Sequence, residues 1–366
     1  MNWTLLPAAR LADADKLSAA RWDALRALGP AAPMLAADFV QPLLAEFGRG
    51  DELLAVCEQH GETIAMAVLA PQGRAGWATF QPAQAPVGLW LQRPGADLPS
   101  LLASLARRLP GPALLVGLSQ CDPYLVARPA DAARECSSGY IDTTRISIGA
   151  GAGADFDSWW NGRGKNLRAN LKKQRSRLAA AGIVTRMDVL RAPAQMMEAV
   201  ADYGRLESTG WKGREGTAVA ADNAQGRFYR DMLERFCRRG AGSVYRYWFG
   251  EQLVAMDLCI EDGDCIVILK TAYDESVPKQ YSPALLMREE ACRRLFEDGR
   301  VRRIEFYGKV MEWHTRWTDE VRTLYHVNHY RWPALLRLHA WLRRRKAGGS
   351  GSKAAPPQPD GISHVS

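Results

Sequence analysis

Apolar positions along the chain alternate between helical and strand periods. Phe39, Leu43-Leu44 and Phe47 recur three and four residues apart, as the buried stripe of a helix does. The same spacing predicts helices over residues 97–108, 155–181, 193–207, 223–239 and 283–298. Apolar runs bounded by turn residues predict strands at 53–58, 63–69, 140–148, 184–189, 243–249, 252–260, 264–273 and 302–307, and a last one near 321–330. Gly61-Glu62 and Gly250-Glu251 read as the turns of two β-hairpins. Strands and helices mixed in this order indicate an α+β fold.

One displacement repeats. Phe39, Leu43-Leu44, Phe47 and Gly61 return as Phe228, Met232-Leu233, Phe236 and Gly250, each 189 positions later. In both places an amphipathic helix leads to a strand, a Gly turn and a second strand, which predicts two similar domains. The expected division is residues 1–139, then 140–331, a C-terminal helix at 332–345 and a tail at 346–366. In that helix Leu335, Leu336, Leu338 and Trp341-Leu342 oppose Arg337 and Arg343-Arg344-Arg345, a pattern that suits packing on the body or contact with an acidic membrane. The tail is rich in Gly, Ser and Pro and predicts disorder.

Composition narrows the class of protein. The chain is 366 residues long, 47% hydrophobic and 24% charged, which suits folded domains with full cores. No apolar run approaches the roughly 20 residues that span a bilayer, and the first residues lack a secretory pattern. The expected location is the cytoplasm, with peripheral contact at the inner membrane face left open. The seven cysteines are scattered, without a Cys-x-x-Cys pair or a neighbouring His at ligand spacing, so buried thiols and no metal are expected. A net charge of +8 favours an anionic partner: a phosphorylated cofactor, a nucleotide-linked sugar, RNA or an acidic lipid.

Four stretches carry candidate chemistry. The strand Ile266 to Asp274, a polar loop and a helix opening at Ser282-Pro283 make a seat for phosphates, because a helix N-terminus offers unpaired N–H groups and a positive dipole end. The segment 163–178 holds Arg163, Lys165, Arg168, Lys172, Lys173, Arg175 and Arg177 without an acid, which reads as a solvated face or an anion-binding groove. No aromatic ladder or zinc-finger spacing accompanies it, and DNA is not an expected partner. Glu207, Gly210, Trp211, Lys212 and Gly213 form a cluster between helices that suits a ligand contact or a structural plug. Asp257, Lys270 and Glu305 interrupt apolar strands, where a charge is costly unless it is paired or faces a cleft. In a cleft, Asp257 or Glu305 could take a proton from an amine and Tyr273 could protonate a leaving thiolate; on an outward face they would be solvated strand ends. Serine-hydrolase elbows, mononucleotide phosphate loops, dinucleotide fingerprints and metal-hydrolase helices are all lacking.

The order of these pieces resembles a family. Arg163 with Lys165 to Arg168 and Asn170 to Lys173, Glu207 with Gly210 to Gly213, Phe228-Tyr229, Lys270 with Ala272 to Asp274, Ser282-Pro283 with Leu285-Leu286, and Glu305 with Gly308 follow one another from about Phe156 to Trp317. Together they resemble the acetyltransferase domain of cellulose- and exopolysaccharide-associated proteins, within the GCN5-related N-acetyltransferase (GNAT) superfamily. The chain is also similar to the Fem-type aminoacyl transferases, which are built from two such domains. The resemblance implies tandem GNAT-like domains, each a mixed, mostly antiparallel sheet flanked by helices, with the first degenerate. It implies acetyl-CoA or another acyl-CoA in a V-shaped gap, held by Lys270, Thr271, Ala272, Ser282, Pro283, Ala284 and Leu285. Arg168, Trp211 and Lys212 would meet the substrate, an amine such as an amino sugar or envelope precursor that attacks the thioester directly. A Fem-type transferase using aminoacyl-tRNA, or a non-catalytic module in polysaccharide assembly, are the alternatives. Gln280 to Ala284 stands where the superfamily has a Gly-rich loop, and Ala284 where relatives tend to have Gly.

Overall fold

A computed structural model describes residues 1–12, 16–149, 155–209 and 219–349. The strands are β1 (Asn2–Pro7), β2 (Leu53–Gln59), β3 (Glu62–Gln72), β4 (Gly76–Thr79), β5 (Trp90–Gln92), β6 (Leu115–Cys121) and β7 (Glu135–Ser147), then β8 (Thr185–Leu190), β9 (Gly242–Phe249), β10 (Gln252–Asp262), β11 (Cys265–Tyr273), β12 (Arg303–Phe306) and β13 (Val321–Tyr330). The helices are α1 (Ala9–Ala12), α2 (Lys16–Arg26), α3 (Ala37–Phe47), α4 (Leu98–Arg108), α5 (Phe156–Asn161) and α6 (Lys165–Ala180), then α7 (Met196–Thr209), α8 (Ala224–Arg238), α9 (Pro283–Asp298), α10 (Glu312–Thr315) and α11 (Pro333–Gly349).

All strands join one sheet, ordered β1-β2-β3-β4-β6-β13-β7-β12-β11-β10-β9-β8, with β5 paired to β3. Two pairs are parallel, β4 with β6 and β11 with β12, and the remaining pairs are antiparallel. The 189-residue displacement runs through the whole architecture. It carries β2 onto β9, β3 onto β10, β4 onto the start of β11, α4 onto α9 and β6 onto β12. The last strands of the two halves are exchanged: β7 follows β6 in the chain but pairs with β12, while β13 follows β12 and pairs with β6. They pair with each other in the middle, so the sheet crosses from one half to the other without an edge. The division expected at residue 140 falls inside β7.

The repeated helices meet face to face. Phe39 and Phe47 on α3 pack against Phe228 on α8 at 5.4 and 5.6 Å between ring centroids. They lie in one core shared by both halves, with Val40, Leu43, Met232, Leu233 and Phe236 buried beside them. The stripe that seeds each half therefore also joins the two. On the opposite face of the sheet, α4 covers the first half, and α5, α6 and α9 cover the second.

Two expected elements differ. The helix predicted over 155–181 is broken into α5 and α6, with Gly162 closing the first and Gly164 opening the second; Gly disfavours helix interiors. The helix predicted from Pro193 begins as a 3-10 turn and becomes α-helical at Met196. Short elements without a strong period escaped sequence reading, notably β4, β5 and β6. On α11, Leu338, Trp341 and Leu342 are exposed; among the described residues no helix is long and apolar enough to cross a membrane. Of the seven cysteines six are buried and Cys136 is half-buried, without a disulfide.

Candidate active site

The site begins where two parallel strands part. β11 and β12 pair from Cys265 opposite Arg303 to Ile268 opposite Phe306. β12 then ends, but β11 continues to Tyr273, so its outer edge has no strand partner from Leu269 onward. A β-bulge lies at the branch. On β10, Leu258 faces Lys270 and Cys259 faces Ile268, which leaves Leu269 as the extra residue. The bulge breaks the alternation of faces. Leu269 packs on the shared core, Lys270 lies over two rings of the same core, and Thr271 turns to the other side.

Helix α9 starts beside this gap, at the bounds expected from sequence. Ser282 sits in the left-handed region at φ 31°, unusual for a residue with a Cβ. Its carbonyl accepts from the N–H groups of Leu285 and Leu286 at 3.0 and 3.2 Å. Its hydroxyl donates to the Lys279 carbonyl at 3.2 Å and does not cap the helix. The first turn thus has no side-chain cap, and the Ala284 N–H is the donor that these bonds leave at the positive end of the dipole, where an anion is favoured. Pro283 is buried, and Ala284 and Leu285 are half-buried.

The polar residues on the strands divide among three places. Lys270 Nζ lies 3.1 Å from Glu207 Oε1 on α7 and over the rings of Tyr203 and Tyr229 at 5.6 and 5.4 Å. Glu207 Oε2 accepts from the Val219 N–H at 2.8 Å. This pair sits at the bulge, where the gap opens, and burial pushes both tyrosine hydroxyls well above their ordinary range. Tyr273, at the end of β11, is 39% exposed, and its hydroxyl is raised by burial of the ring and by Glu275. Ala272 is buried in the shared core.

Asp257 is not in the gap. It lies under α9, 1% exposed, with its carboxylate 2.7 Å from Arg288 Nη1, and it accepts from the Thr271 hydroxyl at 2.5 Å. A carboxylate so engaged serves to hold Arg288 and cannot meet an incoming amine. Glu305 is likewise sealed, 2% exposed, with Oε2 2.8 Å from Arg322 and Oε1 3.3 Å from Arg303. Burial raises its proton affinity, and Arg322 opposes that rise. Arg322 also holds Asp122, which accepts from Tyr307 Oη at 2.9 Å, so this network ties the two halves together. Arg168 stands apart on α6, donating to the Arg163 carbonyl and to Asn161. Trp211 and Lys212 lie outside the described residues. Sequence reading missed Arg288, although a cation one position from Met287 and three from Ala291, inside an apolar stripe, signals a buried counter-ion.

Residues 165–315 match the family model described as the acetyltransferase (GNAT) domain. The match falls within the second half of the chain. No curated protein matches the sequence significantly. Among solved structures, FemX covers 92% of this chain and 99% of its own at 9% identity, with a TM-score of 0.57. The C-terminal domain of a protein described as a lysylphosphatidylglycerol synthetase from Agrobacterium fabrum covers 93% and 100% at 13% identity, with a TM-score of 0.55. L-PGS from Bacillus licheniformis covers 91% and 96% at 11% identity, with a TM-score of 0.51. At such identities the likeness is one of fold, and it extends over both halves. The chain thus shares a two-half fold with these proteins, and residues 165–315 resemble the acetyltransferase (GNAT) domain.

The first half repeats the GNAT frame but closes the gap. β4 stops at Thr79, and the segment after it turns back into the opening, burying Val87 and Leu89. The Gly88 N–H donates to the Ser119 carbonyl on β6 at 3.0 Å, and the Ser119 N–H donates to the Thr79 hydroxyl at 2.9 Å. A Cβ at Gly88 would collide with both the Thr79 hydroxyl and the Ser119 carbonyl, so only glycine fits. Here α4 starts at Leu98, with Asp97 capping it through the Ser100 N–H. An acidic side chain thus caps this helix start, where α9 has no side-chain cap.

Proposed function

We propose that the GNAT domain of the second half transfers an acyl group, acetyl in the simplest case, from acyl-CoA to an amine. The observation that carries this reading is the parting of β11 from β12 after Ile268, with a helix start lacking a side-chain cap at one side and a bulge at its branch. The donor supplies the thioester; the chain supplies its seat. Ser282 to Leu285 receive the pyrophosphate, and the free edge of β11 from Lys270 to Ala272 offers backbone groups along the gap. Lys270, fixed by Glu207, places positive charge where the carbonyl oxygen gains negative charge. Tyr273, the exposed acid at the mouth, protonates the leaving thiolate. Neither of the strand carboxylates nor Glu207 stands free to accept the amine's proton. Asp257 and Glu305 are held by arginines, and Glu207 has both oxygens engaged. The amine then enters neutral, and the enzyme works by positioning and electrostatics. The acceptor we favour is an amino sugar or another envelope-related amine. The first half acts as a scaffold.

Calorimetric titration with acetyl-CoA, CoA and RNA tests the donor. Saturable binding of acetyl-CoA, with a rise in Tm that grows with its concentration, supports the reading. Binding of RNA alone would sink it in favour of an aminoacyl-tRNA donor, a second reading that the superposition on FemX keeps in view.

A further inference from the structure

The basic helix α6 has no obvious use in the gap. It carries Lys165, Arg168, Lys172, Lys173, Arg175 and Arg177 and no acid. Among the described residues Arg175 is the one cation of this helix held by a carboxylate, Glu289 of α9 at 2.9 Å. Repulsion along an uncompensated helix is a cost that an anion would relieve. The cations do not simply project into solvent. Arg168, Lys172 and Arg175 line a cleft of about 360 Å³ between α5, α6 and α9, which Trp160 and Glu289 complete. Three cations against one acid leave it positive. Trp160 gives it a flat aromatic wall, and a volume of a few hundred Å³ suits a small ligand.

The position of the cleft connects it to the donor seat. Its far wall is α9, whose N-terminus borders the gap. Glu289 comes six residues after Pro283, or about 9 Å along the helix axis at the usual rise. An elongated ligand with phosphate at the helix start can therefore lay a second phosphate and a planar base against α6. Resting on the acyl-CoA reading, we propose that the cleft between α5, α6 and α9 binds the phosphorylated nucleoside end of the donor. Lys172 and Arg168 meet its phosphate monoester, and the ring of Trp160 faces the base. Arg175 stays paired with Glu289 and shapes the wall.

The full chain, titrated with CoA, dephospho-CoA and adenosine 3′,5′-bisphosphate, tests this. Lys172 is exposed, and among the described residues no carboxylate pairs with its side chain, so Lys172→Glu should fold as the parent does, checked by an unchanged Tm. We expect CoA to bind at least ~10-fold tighter than dephospho-CoA. Lys172→Glu should erase that difference and weaken the bisphosphate alike, and Lys172→Arg should restore both. Equal affinity for CoA and dephospho-CoA overturns the proposal. So does CoA binding that survives Lys172→Glu but not Ala284→Asp, which leaves the donor reading intact. Failure of both CoA and dephospho-CoA to bind sinks the donor reading itself, and RNA binding lost in Lys172→Glu would then assign the cleft to RNA phosphates.

Discussion

The two halves of this chain share a frame and differ in what they do with one gap. In the second half β11 runs five residues past its last pairing with β12, and α9 begins uncapped beside it. In the first, β4 has four residues, Gly88 and Thr79 lace the opening to β6, and Asp97 caps a shorter helix. The polar set is one-sided as well. At the displacement of 189, Asp257, Lys270 and Glu305 correspond to Val68, Gln81 and Val116. A duplicated fold keeps its core because each copy needs burial, whereas a binding gap is kept only where it is used. The closed copy still contributes, since its α3 and β6 complete the core and the sheet of the open one.

The comparison can be broken first at the buried pair. Arg288→Ala would leave Asp257 charged and alone under α9, and should cost about 3–5 kcal/mol in unfolding experiments. Arg288→Met with Asp257→Leu should recover most of that loss; if it does not, the pair has a role beyond packing. The donor seat comes next. Ala284→Asp puts an acid on the first turn, which suits the helix dipole but repels a phosphate. It should weaken acetyl-CoA by about 100-fold, on the order of 3 kcal/mol, with Tm held or raised.

His314 offers a pH test of the second half alone. It is buried against Trp313 and Phe306, its Nδ1 accepts from the Met311 N–H at 2.9 Å, and the first half has Leu125 at the matching position. Burial, with Arg288 as a lesser cause, lowers its pKa to about 4. Because the folded value is depressed, this contribution is present above about pH 6.5 and is lost as pH falls toward about 4, up to roughly 3 kcal/mol. Denaturant midpoints across that window should fall, and His314→Phe should flatten the slope. A smaller effect is expected at the closed gap. Gly88→Ala should destabilise by about 1–3 kcal/mol while leaving the affinity for acetyl-CoA unchanged. Lost donor binding in that variant would place a ligand in the first half. The smallest change is in rate alone: Lys270→Met should lower kcat by about 10- to 100-fold at constant donor KM.

Much of this frame was legible in the sequence because periodicity and turn residues encode local structure directly. The stripe from Phe39 to Phe47 and its echo from Phe228 to Phe236, the hairpin turns and the helix from Pro283 to Asp298 all appear where the pattern put them. The position of Ser282 at a helix start followed from Pro283, which fits only the first turn. What the sequence could not reveal was partnership. Asp257 and Glu305 look alike along the chain, as lone acids in apolar strands. Only the tertiary structure brings Arg288 from α9 and Arg322 from β13 to neutralise them, because a buried charge finds its partner through space. In the same way the bulge at Leu269, the exchange of β7 with β13 and the plug at Gly88 depend on pairing between distant segments. Local sequence determined the elements; long-range pairing decided which gap stayed open.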